Sequence, residues 1–94
     1  MNKSDLIEEL SKQTNIPEQE ASSIVSTILQ SMTQSLVDGD NVEIRGFGSF
    51  TVRHYDGYTG RNPKTGEKTV VKAKKLPFFK VGKELKEAVD GGKR

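Results

Sequence analysis

The sequence predicts an α+β fold: two N-terminal helices, an antiparallel three-stranded sheet extended into a β-ribbon arm, and a short C-terminal helix. Three observations predict it. Apolar residues recur at helical spacing as far as Val37. From Val42 the pattern changes to strand-like alternation. The octet Gly60-Arg61-Asn62-Pro63-Lys64-Thr65-Gly66-Glu67 then lies between two alternating runs, as the tip of a hairpin would.

Each element has its own grounds. Asn2 is a candidate N-cap for the first helix, with Asp5 three residues on, where a carboxylate suits the positive helix end. Leu6, Ile7 and Leu10 form its apolar stripe, which fades into Gln13-Thr14-Asn15. Pro17 is expected in the first turn of a second helix, because a missing N–H does no harm there. Ala21, Ile24, Val25, Ile28, Leu29, Met32 and Leu36 give that helix a wide apolar face. Asp38-Gly39-Asp40-Asn41 ends it. Val42-Glu43-Ile44-Arg45 alternates with period two, Gly46-Phe47-Gly48 makes a bend, and a second strand runs through Phe50 and Val52. The last short helix spans Gly82 to Val89. Phe47, Phe50, Phe78 and Phe79 border the sheet and are expected to be core aromatics.

The arm is expected to run out along Phe50–Thr59 and return along Lys68–Leu76. Pro63 fixes its own φ, and Gly60 and Gly66 are expected to supply the unusual angles of the reversal. A turn centred on Pro63 and Lys64 sets Arg53 near Lys74, Tyr55 near Lys72 and Thr59 near Lys68, with Lys75 also on the return strand. Opposed like charges destabilise a lone ribbon, and a two-stranded ribbon is marginal in water anyway. A polyanion alongside Arg53, Lys68, Lys72 and Lys74 would resolve both problems. The plainer reading is a solvated basic edge that discourages aggregation.

At 94 residues the chain is read as one domain, 1–94. It divides into a helical dimerisation part (1–41), a sheet (42–81) carrying the arm (53–75), and the C-terminal helix (82–90). So short a chain has little interior, so the apolar face of the second helix is expected to pack on a second copy as an intertwined dimer. Ile28, Met32, Leu36, Phe47, Phe50 and Phe79 are the expected dimer core. Charge is divided: residues 1–44 hold two basic against eight acidic side chains, net −6, and residues 45–94 hold 13 against five, net +8. There is no cysteine, hence no disulfide and no thiolate metal site. Met1–Leu10 mixes acids with apolar residues and does not read as a signal peptide; no apolar run reaches membrane-spanning length. The tail Asp90–Arg94 gives no reading either way.

The octet, with Ile44-Arg45-Gly46-Phe47-Gly48-Ser49-Phe50 and Pro77-Phe78-Phe79-Lys80-Val81-Gly82-Lys83-Glu84-Leu85-Lys86, resembles the HU and integration host factor family of bacterial DNA-bending proteins. The resemblance covers essentially the whole chain in the same order. It implies a dimeric, histone-like, nucleoid-associated protein of the cytoplasm that condenses DNA, with two arms reaching from one body. In that family the tip proline intercalates at the minor groove and kinks the duplex, a role that falls here on Pro63. Arg61, Asn62 and Lys64 then lie beside the wedge. Arg45, Gly46 and Gly48 become backbone and side-chain contacts; by themselves the glycines read as tight packing at a bend. Lys80, Lys83 and Lys86 become phosphate contacts; by themselves they are ordinary exposed lysines. Glu43 with Arg45 is closer to the integration host factor branch, in which the arginine position takes part in sequence-selective contact.

Duplex DNA is thus the expected partner, with structured RNA a second polyanion of the same kind, and the dimer is a homodimer or a heterodimer with a paralogue. Gly46-Phe47-Gly48-Ser49-Phe50 partly resembles an RNA-recognition motif, but that fold needs a strand before its first helix, and Ser49 stands where an aromatic belongs. No enzyme, cofactor or metal is expected. His54 is the only histidine and lacks a nucleophile or ligand set around it.

Overall fold

A computed structural model describes residues 1–91 of the chain. In α1 (Lys3–Thr14) the expected cap is a full capping box: Asn2 Oδ1 accepts from the Asp5 N–H at 2.9 Å, and the Asn2 N–H donates to Asp5 Oδ2 at 3.1 Å. Asn15 takes the left-handed conformation at the other end, and the Ser11 hydroxyl donates to the Ile16 carbonyl at 2.6 Å, which fixes the corner. Pro17 is extended, with ψ 150°, and so stands one residue outside α2 (Glu18–Val37) as its N-cap instead of in its first turn. Its carbonyl accepts the Ala21 N–H at 3.0 Å. The helix closes in a Schellman motif, Asp40 N–H to the Ser35 carbonyl and Gly39 N–H to the Leu36 carbonyl, before the chain turns into the sheet.

β1 (Val42–Ile44), β2 (Gly48–Tyr55) and β5 (Lys74–Val81) form an antiparallel sheet in the order β1-β2-β5. Its register gives the two faces different characters. Val42, Phe50 and Phe79 make one cross-strand row, and Val52 faces Pro77 on the same side. This side meets α2, for Thr33, Leu36 and Val37 line an apolar groove with Val52 and Pro77. The adjacent row, Glu43-Ser49-Lys80, together with Thr51-Phe78 and Arg53-Leu76, lies on the outer side. Gly48 is where the sheet needs a glycine: a Cβ there would lie 2.6 Å from both the Lys80 carbonyl oxygen and the Phe79 ring. α3 (Lys83–Gly91) follows, anchored by the Gly82 N–H donating to the Phe47 carbonyl at 2.9 Å. Of the tail, Asp90 and Gly91 continue α3, and residues 92–94 lie outside the described residues.

Three of the four expected core aromatics cluster, and the fourth lies apart. Phe79 packs between Phe47 (centroids 5.6 Å apart) and Phe50 (4.7 Å) on the helix-facing side. Phe78 is on the opposite face, because successive residues of a strand point to opposite sides, and it is not a core aromatic. Among the described residues the chain by itself buries only Ala21 and Val25.

The arm differs from its expected form in three ways. It is interrupted: β3 (Tyr58–Arg61) pairs with β4 (Lys68–Val71) as a separate ribbon, and Asp56-Gly57 and Lys72-Ala73 lie unpaired between ribbon and sheet. The register is displaced by two residues, so that Arg53 faces Leu76, Tyr55 faces Lys74, Thr59 faces Val70 and Arg61 faces Lys68. The cause is the turn, which centres on Lys64 and Thr65 and not on Pro63 and Lys64. A slip of two preserves the face within each paired segment, so Arg53 and Lys74 share a side of the sheet and Thr59 and Lys68 a side of the outer ribbon, while Lys72 falls in the unpaired break. Finally, Gly60 is an ordinary strand residue opposite Thr69, and only Gly66, with φ +75°, supplies a left-handed angle to the reversal.

Candidate nucleic-acid interface

The tip is built by Asn62. Its Oδ1 accepts the Lys64 N–H at 2.8 Å and, more weakly, the Thr65 N–H at 3.4 Å. Its backbone closes the loop from both sides: the Asn62 N–H donates to the Glu67 carbonyl at 2.8 Å, and its carbonyl accepts the Gly66 N–H at 2.7 Å. The Thr65 hydroxyl oxygen accepts the Glu67 N–H at 3.2 Å. Pro63, which has no N–H to satisfy, is held at the start of a side-chain-capped turn with its ring exposed. Asn62 had been singled out for contact; its clearest duty is to hold the turn, and an Asn directly before Pro is the signal for that.

Behind the tip, Arg61 and Lys68 are directly opposed, which places two positive charges on one face of the ribbon with Thr59 and Val70. Tyr58 is on the other face with Gly60, its ring 3.5 Å from the position a Cβ would take there. Lys72 lies in the unpaired break. Like charges directly opposed across a ribbon repel, and an anion lying against them relieves that.

On the outer side of the sheet, Tyr55 pairs with Lys74, and the Arg53 guanidinium carbon sits 3.4 Å from the centroid of the Phe78 ring. At the far end, Arg45, Gly46, Gly48 and Lys80 line one open groove of about 580 Å³ with Glu43, Ser49 and Gly82. Four of the residues singled out from sequence are therefore neighbours although 35 positions separate the first from the last. The groove also holds acid. Glu43 lies in one cross-strand row with Lys80, and the Glu84 carboxylate comes within 3.1 Å of where a Gly46 Cβ would be. That approach of Glu84 to Gly46 was not foreseen from the sequence.

Lys83 and Lys86 follow on the first two turns of α3. Lys75 does not join the others. It pairs with His54 on the helix-facing side and lines the apolar groove beside Leu36 and Pro77, one residue out of phase with Lys74. No cluster of His, Cys, Asp and Glu able to hold a metal ion occurs among the described residues, and no helix there is long and apolar enough to cross a membrane.

Known proteins agree with this arrangement along nearly the whole chain. Residues 1–90 match the family model described as bacterial DNA-binding protein. The integration host factor subunit beta of Haemophilus influenzae is 52% identical over 91 residues, covering 96% of this chain and 97% of that protein. The corresponding subunit of Marinobacter nauticus is 50% identical over 91 residues, covering 96% and 93%. Among solved structures, an Anabaena HU–DNA cocrystal superposes with a TM-score of 0.84 at 33% identity, covering 96% of this chain and 98% of that one. HU from Thermotoga maritima superposes with a TM-score of 0.69 at 33% identity, covering 96% and 100%. With a basic ribbon, a side-chain-capped proline tip and relatives matched over nearly their full length, this chain belongs to the bacterial DNA-binding protein family.

Proposed function

We propose that the chain is a histone-like architectural protein: two copies form an intertwined dimer, the ribbons enter the minor groove of duplex DNA, and Pro63 wedges between base pairs to bend it. The observation that carries this reading is how little one chain buries. Ile28 is 53% exposed, Leu29 41% and Phe79 38%, and none of the six expected dimer-core residues is fully buried. The accessible surface is 7890 Å², whereas a folded chain of this mass exposes roughly 5,400 Å². The ribbon accounts for part of the excess. The remainder is apolar face of the kind that obligate dimers cover with interfaces of about 2,000 Å² or more.

The DNA-facing chemistry follows from the same layout. Opposed Arg61 and Lys68, with Lys64, Lys72 and Lys74, supply phosphate contacts and counterion release, and a stiff exposed proline loses little entropy on insertion. Unstacking a base step costs a few kcal/mol, which the contacts made around the bend offset. Binding and bending need no catalytic step, and the protein works in the cytoplasm, on the nucleoid. Sizing by light scattering, alone and with random-sequence duplex at two salt concentrations, tests the reading. We expect a dimer that binds duplex and releases it steeply as salt rises. A monomer, or binding indifferent to salt, would overturn it.

A second reading has its own support: a sequence-selective bender acting in recombination or transcription, paired with a paralogous chain. The 52% identity to an integration host factor beta subunit favours it, as does the shared groove of Glu43, Arg45 and Lys80. A chain that stays monomeric alone and dimerises only with a paralogue would decide for it. Competition by folded RNA in the same titration shows whether structured RNA is a second ligand.

A further inference from the structure

We infer that Phe78 is a positioning residue for DNA binding: its ring holds the Arg53 guanidinium over the outer face of the sheet, with the N–H edges turned outward for a phosphate. The inference rests on the duplex-binding reading above. Register puts the two residues on one face, since Phe78 faces Thr51 and Arg53 faces Leu76 on neighbouring strands, a diagonal pair within reach of long side chains. The guanidinium carbon is 3.4 Å from the ring centroid, so it lies over the ring face. An upright guanidinium would bring a nitrogen about 0.7–1.3 Å nearer the ring than the carbon, inside contact distance, so we take the two planes as stacked.

That geometry separates two functions of one cation. The ring quadrupole attracts the face of the guanidinium, and all five N–H donors lie in its plane. Stacking therefore holds the group without consuming a donor, and leaves it able to grip a phosphate in bidentate fashion. It also explains Phe78, which is 37% exposed on the side of the sheet away from α2 and contributes nothing to the Phe47-Phe50-Phe79 cluster. Tyr55 opposite Lys74 lies farther out on the same face, so the stacked arginine stands at the root of the arm, between sheet and ribbon.

The test is a titration of the full chain with a fluorescent random-sequence duplex at several salt concentrations, for parent, F78Y, F78L, R53K, R53Q and R53Q/F78L. F78Y keeps an aromatic face and should bind as the parent does. F78L keeps the charge but loses the stack; we expect affinity to fall about fivefold with the salt slope little changed. R53K should show a similar loss, because an ammonium cannot stack or bind in bidentate fashion. R53Q should reduce the log–log salt slope by about 0.9 per chain, the value for one phosphate contact. In the R53Q background F78L should cost nothing further. Parental binding by F78L or R53K, or an equal loss from F78L with and without Arg53, would overturn the inference. Should circular dichroism show F78L unfolded, R53K alone decides. A parent chain that fails to bind duplex removes the duplex reading itself, a different result from any variant effect.

Discussion

Asn62 shows how much one side chain contributes at the tip, since it accepts from two backbone N–H groups beyond Pro63 and its own backbone closes the loop. Pro63 is thereby a fixed point of the turn, as the proposed wedge requires. We predict that Pro63→Ala lowers the bend angle of intact duplex far more than the affinity for nicked or prebent duplex, where unstacking is already done. Circularisation of short fragments measures the first and titration the second; equal losses would remove the wedge. At this scale the sequence was legible where chemistry is local. The capping box of Asn2 and Asp5, the Schellman turn at Gly39 and the stiffness of Pro63 follow from residue type and spacing. The duty of Asn62 was legible too, in Asn-Pro. Gly60 misled because a glycine near a proline suggests a turn, whereas pairing with Thr69 keeps it in a strand. The approach of Glu84 to Gly46 spans 38 positions and no local rule reaches it.

Elements are defined by pairing, and pairing depends on where a turn centres. Moving the centre from Pro63-Lys64 to Lys64-Thr65 shifts the partners by two and keeps the side within each paired segment, so the sharing of a side by Arg53 with Lys74 and by Thr59 with Lys68 was legible while the contacts across the strands were not. The break at Asp56-Gly57 and Lys72-Ala73 carries no sequence signal beyond Gly57 itself. It divides the arm into a root continuous with the sheet and an outer ribbon with neither a second layer nor ladder bonds to the body. We predict that NMR order parameters without DNA fall below those of the sheet across residues 55–72 and rise when duplex is added. A uniformly rigid arm in the absence of DNA would contradict this. In the body the opposite holds, because the sheet is tight at Gly48. Gly48→Ala forces a methyl to within 2.6 Å of the Lys80 carbonyl oxygen and the Phe79 ring, and should cost about 1–3 kcal/mol in denaturant unfolding. An unchanged midpoint would mean that the strands separate there at little cost.

For the whole molecule, the radius of gyration of 19.4 Å and extents of 60 × 38 × 27 Å contrast with about 12 Å for a compact chain of this length. Two features stand out: a ribbon that leaves the body, and a helix-and-sheet face whose apolar residues are largely exposed. The fold class and the division between an acidic helical part and a basic ribbon part were legible because they are patterns of many residues. The place of Phe78 on the outer face was not, because it depends on the strand register. Under the proposed function both features are met, by a second chain under the helices and a duplex between the ribbons. The most direct check of that arrangement is the end-to-end distance of a short duplex labelled at both ends, followed by energy transfer as the protein is added to saturation. We expect transfer to rise strongly with the parent chain and much less with Pro63→Ala. A duplex that is fully bound yet keeps the end-to-end distance of the free duplex would contradict it.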